Sequence, residues 1–112
     1  MNKLLIGILC FAFGQIIIWY QTNGQFRWDW CAKHPFAMAC IFSIPISFAF
    51  IVATKLVVGY FDGQLWPGRF LGFATGMISF PFITYFMLGE GITLKTAVSI
   101  LLAIIIMLLQ LI

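Results

Sequence analysis

Charge is what this 112-residue chain has least of: 8% of its residues are Asp, Glu, Lys or Arg, shared between six basic and three acidic side chains, and it has one histidine. With 63% hydrophobic residues, too few polar side chains remain to coat a water-soluble globule. The three acids, Asp29, Asp62 and Glu90, stand far apart in sequence, which excludes the paired carboxylates of general acid-base chemistry. His34 has no second histidine and no acid spaced to complete a metal site. A phosphate-binding glycine loop is absent as well. No catalytic residue, no metal and no cofactor is therefore expected, and the chain does not read as an enzyme. The scattered cations are not interleaved with aromatics in a basic patch, which excludes nucleic acid as a partner. The cysteines number three, Cys10, Cys31 and Cys40, with two inside apolar stretches, which argues against a disulfide framework.

What the chain has in abundance is long apolar runs. In a bilayer every backbone amide must be satisfied internally, which leaves helices or a closed barrel. Barrel strands alternate apolar and polar residues, whereas Ile16 to Tyr20 and Leu101 to Leu109 are apolar without alternation. The expected fold is all-α: one integral-membrane domain over 1–112, a four-transmembrane-helix bundle, alone or as a dimer, with multi-pass insertion in the cell (inner) membrane.

Span one is expected at about 4–20, its Trp19-Tyr20 end carrying the amphipathic aromatics that settle at an interface. Lys3 before an apolar run and Ala12-Phe13-Gly14 imitate a secretion signal, but the run continues beyond that point to spanning length. Gln21 to His34 mixes aromatic and charged residues, as suits a loop among headgroups. Pro35 opens span two, 35–60, where Pro45 is the expected bend. Asp62-Gly63 and Trp66-Pro67-Gly68 read as turns before span three at 70–88. Gly89-Glu90-Gly91 then breaks the chain, Thr93 is a candidate helix cap and span four covers 93–112, with Glu90 expected to favour its N-terminus.

Four crossings put Lys3, Lys55 and Arg69 on one side and Arg27, Lys33 and Lys95 on the other. Such an even split gives almost no positive-inside bias, so insertion in both orientations is one expectation and a weak single preference the other. Lys55 lies inside an apolar run near the end of span two, close enough for its stem to lift the ammonium to the interface.

At 100° per residue, Gly68, Gly72, Thr75, Gly76 and Ser79 share one side of span three, and Gly72-x-x-x-Gly76 has the spacing of a close helix contact. The partner is expected to be a helix of the same chain before a dimer seam. Ser43, Ser47 and Thr54 form a stripe flanking Pro45, either lining a polar pathway or satisfying the carbonyl that the proline frees. Gln15 is the strongly polar side chain near the middle of span one. Unpaired burial would cost a few kcal/mol, so it needs either an interhelical hydrogen bond or a transported molecule.

Trp66-Pro67-Gly68 opening span three, and Tyr85-Phe86-Met87-Leu88-Gly89-Glu90-Gly91-Ile92-Thr93-Leu94 leading into span four, resemble the drug/metabolite transporter superfamily, whose smallest members are the four-helix small multidrug resistance exporters. Ile18-Trp19-Tyr20 is similar to an element near the end of helix one in a related set of uncharacterised four-span proteins. The likeness covers about half the chain. It implies the four-helix fold and an antiparallel homodimer. It also implies a first-helix glutamate that exchanges protons for cationic substrate, but Gln15 stands at the best corresponding position, and a neutral amide cannot perform that exchange.

The leading expectation is a small-molecule transporter or channel-like carrier of this type, without proton coupling through helix one. Its substrate pathway would be lined by Gln15, Ser43, Ser47, Thr54 and Ser79, and its helices packed at Gly68, Gly72 and Gly76. The partners expected are the lipid bilayer, a second copy and a small-molecule substrate. The competing expectation is a non-transporting structural or accessory membrane subunit. A lesion-forming viral membrane protein fits less well, since such proteins usually add a charged soluble tail.

Overall fold

The computed structural model describes residues 2–112. The elements are α1 (Asn2–Asn23), a 3-10 turn at Gly24–Phe26, a short α2 (Asp29–Lys33), α3 (Pro35–Tyr60), α4 (Trp66–Leu88) and α5 (Leu94–Leu111). Four of them, α1, α3, α4 and α5, are long and apolar enough to cross a membrane. The protein is an all-α bundle of four such helices.

Helix α1 packs on both α3 and α4, and α5 packs chiefly on α4. Phe11 meets Gly72 and, one turn further along both helices, Gln15 meets Gly76, so α1 and α4 run parallel. Gly7 meets Val57 while Gly14 meets Phe50, so α3 runs the opposite way. The molecule extends 45 × 35 × 19 Å. The long axis is close to the ~39 Å of a 26-residue helix, so the other two describe a flattened cross-section rather than a square one.

Every long helix is apolar all round, so hydrophobicity alone cannot decide which face turns inward. Side-chain size decides it. The buried residues of α1 are Leu4, Gly7, Phe11, Gly14 and Trp19, an alternation of small and large that interlocks with Ala49, Ala53 and Val57 of α3. The core consists of Leu4, Phe11, Ala53, Val57 and Leu71, with Met107 of α5 packed against its edge. A Cβ on Gly7 would stand 2.6 Å from a Val57 methyl, so glycine sets how closely α1 and α3 approach.

Two expected boundaries differ. Span one is longer than 4–20, because α1 keeps its helical geometry through Gln21, Thr22 and Asn23. The Thr22 hydroxyl donates to the Ile18 carbonyl (2.8 Å) and helps carry that last turn. Span three begins at Trp66 rather than 70, because Pro67 needs no N–H donor in a first turn and has a fixed φ suited to starting a helix. Trp66-Pro67-Gly68 is thus the opening of α4, and the turn before it is made by Asp62 (φ 57°) and Gly63 (φ 90°).

At the far end of α4, Gly89 adopts φ 73° as a left-handed cap, and its N–H donates to the Tyr85 carbonyl. Thr93 caps α5, its hydroxyl accepting from the Thr96 N–H at 3.3 Å. Glu90 lies three residues before that cap, outside the first turn of α5. In the first loop Trp28 and Trp30 are exposed, with the Arg27 guanidinium 5.9 Å from the Trp28 ring and the His34 ring stacked on Trp30. Those rings suit the interfacial region.

Candidate functional site

Three polar groups bind α1 to its neighbours. Gln15 Nε2 donates to the Gly72 carbonyl at 3.1 Å, reaching α4 through a space kept open by the missing side chain of Gly76. A Cβ at Gly76 would lie 2.6 Å from both Cδ and Oε1 of Gln15. Trp19, 1% exposed, donates its indole N–H to the Thr84 hydroxyl at 2.8 Å. Nearer the loop end, Gln21 Nε2 lies 3.4 Å from both the Ala39 carbonyl and the Ser43 hydroxyl of α3. Among the described residues, no buried side-chain nitrogen or oxygen is left without a partner. These helices are therefore joined by satisfied polar contacts as well as by fit.

Gln15 also faces a cleft. Between α1, α3 and α4 lies an opening of about 510 Å³. The rings of Phe11 and Phe50 wall it, 5.7 Å apart, while Gln15, Thr54 and Arg69 supply its polar groups. Gly68 and Gly72 contribute the α4 side of the same wall. A second opening of about 430 Å³ lies between α1 and α3, lined by Leu9, Phe13 and Pro45 among other groups without formal charge. Apart from the Cys10 thiol, its lining offers apolar contact alone.

The five residues expected to line one pathway are not gathered into it. Gln15 and Thr54 share the cleft. Ser43 and Ser47 lie on the exposed face of α3, along a shallow depression with Ile44, Phe48 and Ile51. The Ser43 hydroxyl donates to the Ala39 carbonyl, not to the Ile41 carbonyl that Pro45 leaves without its usual donor. Ser79 turns back on its own helix, donating to the Thr75 carbonyl at 2.8 Å. The glycines Gly68, Gly72 and Gly76 each face another helix of this chain: Gly68 the valines 57 and 58, Gly72 the ring of Phe11, and Gly76 the amide of Gln15.

Two residues of this region escaped sequence reasoning. Trp19 read as an interfacial aromatic, yet it is the largest fully buried side chain. Its distance of one turn from Gln15, and of two from Phe11, was the available signal. Arg69 read as a loop charge, but the early start of α4 brings it into the first turn beside the cleft.

Among the described residues, no three His, Cys, Asp or Glu side chains converge as a metal site, and Cys10, Cys31 and Cys40 are free thiols. Fold and hydropathy together define a multi-pass helical membrane protein. Comparison with protein-family models, with curated proteins and with solved structures finds no match.

Proposed function

We propose that the chain is a small-molecule carrier of the drug/metabolite transporter type, acting as a homodimer in the cell (inner) membrane and not driven by protons through helix one. The observation that carries this reading is the cleft around Gln15. Its volume, about 510 Å³, falls within the range of small-molecule sites, and it combines apolar walls with a few polar groups. A structural amide needs only its helix partner, whereas Gln15 spends one N–H on Gly72 and still faces an opening. The flattened bundle and the even split of cations between its two ends support a second copy, inverted in the membrane, closing the open side.

Flux into liposomes tests it. The native protein is expected to move at least one member of a panel of small cations, anions, amines and sugars. Gln15→Leu, close in volume, is expected to cut that flux about tenfold or more while keeping helicity and elution volume. Native-like flux in the variant would contradict the reading. The accessory-subunit alternative rests on α5, where Ala103 is the one buried residue and the other faces are free for lipid or protein. It predicts no flux of any solute.

A further inference from the structure

We infer that the Gln15 cleft selects an amphipathic organic anion, held by the guanidinium of Arg69 at its mouth, with an apolar body laid against the wall that the paired rings of Phe11 and Phe50 form with Ile18 and Leu65. This rests on the carrier reading for its physiological meaning, but the binding site itself is argued independently of transport. The lining of the cleft contains one formal charge, that of Arg69, and no acid. A cationic solute would meet that charge with nothing to offset it. An anion would meet a planar donor fork matched to carboxylate or phosphate oxygens.

Its neighbours in the cleft reinforce this preference. The Gln15 amide keeps a second N–H beyond the one donated to Gly72, and Thr54 adds a hydroxyl from the α3 side. The walls are apolar, so attraction at the mouth is screened less than in open water. Phe11, Ile18, Phe50 and Leu65 contribute those walls, which suit an aromatic or aliphatic body and disfavour a small hydrated ion. The bland role for an arginine here is to anchor a helix end among headgroups, and that role predicts no preference among solutes.

The test is equilibrium binding to the purified full chain in phosphatidylcholine nanodiscs, where both membrane faces are accessible and orientation has no effect. Three probes of one shape are compared: 2-naphthoate, 2-naphthamide and 2-naphthylmethylammonium. Naphthoate is expected to bind about tenfold or more tighter than the ammonium, Arg69→Gln to abolish that preference and Arg69→Lys to keep part of it. Equal binding of the three probes, or a preference unchanged in Arg69→Gln, would overturn the inference and leave Arg69 as an anchor. Adding phosphatidylglycerol distinguishes the sources of the anion. Competition with naphthoate that disappears in Arg69→Gln marks a lipid headgroup as the occupant, and the naphthoate preference without such competition marks a free solute; either supports the anion site. Flux separates this inference from the carrier reading: naphthoate bound but never moved would remove the carrier and keep the site. Movement of cations, insensitive to Arg69→Gln, would do the reverse.

Discussion

Trp19→Ala is expected to destabilise the folded bundle by about 3–5 kcal/mol, the range for emptying a large aromatic site that cannot collapse. Trp19 is 1% exposed and lies where α1 meets α4, so its removal leaves a cavity between two backbones held apart by other contacts. The Thr84 hydroxyl, itself buried, loses its indole donor at the same time. Trp19→Phe separates the two contributions. It keeps most of the ring and removes the N–H, and its cost should be nearer the 0.6–2 kcal/mol typical of one interhelical hydrogen bond in a membrane. Reversible unfolding of the reconstituted protein, followed by tryptophan-independent helicity, provides the comparison. Equal stability of Trp19→Ala and the native chain would mean that this ring is not in the core.

The second large effect concerns the closest approach of α1 to α4. Gly76→Leu would drive a side chain into the Gln15 amide, and relief requires either an altered Gln15 rotamer or separation of the helices. Overpacking of this kind costs about 1–3 kcal/mol, and here it also breaks the hydrogen bond to the Gly72 carbonyl. A graded series is informative: Gly76→Ala should be milder than Gly76→Leu. Gly91→Leu is the control, since a Cβ there meets nothing within 4 Å. A loss at Gly91 equal to that at Gly76 would point to a generic cost of leucine rather than to a specific contact.

The fold class was legible because four apolar stretches of spanning length admit one solution in lipid. Interior faces were only partly legible. In a helix that is apolar throughout, inward residues are marked by size, and the glycines of α4 carried that mark clearly, as did Gly7 and Gly14 in α1. Ser43 of α3 and Ser79 of α4 misled, because a hydroxyl in a membrane helix can satisfy itself on the carbonyl one turn back, as both do. A polar stripe therefore need not face a pathway. Arg69 was hidden by a boundary: four extra residues at the start of α4 turn a loop charge into a cleft residue, and Pro67 was the clue to that earlier start. Trp19 was hidden by its chemistry. Tryptophan near a span end is common at interfaces, and only its register with Phe11 and Gln15 identified the buried face.

The hydrogen bond of Gln15 and the transport role proposed for it can be measured apart. Its bond to Gly72 contributes to stability, whereas its exposure to the cleft matters only to a bound solute. Gln15→Leu should consequently cost little more than one membrane hydrogen bond, about 0.6–2 kcal/mol, while its effect on flux is much larger.

The antiparallel alternation of four membrane-length helices places residues 2 and 64 at one end and residues 25 and 91 at the other. Pairwise nitroxide distances in nanodiscs test this without regard to orientation, with labelled protein diluted into unlabelled protein to suppress signals between copies. The pairs Asn2/Gln64 and Gln25/Gly91 are predicted to be short, and Asn2/Gln25 to be separated by about 30 Å or more, the rise of a 22-residue helix. A long distance for Asn2/Gln64, or a short one for Asn2/Gln25, would contradict the four-crossing arrangement and the cleft built upon it.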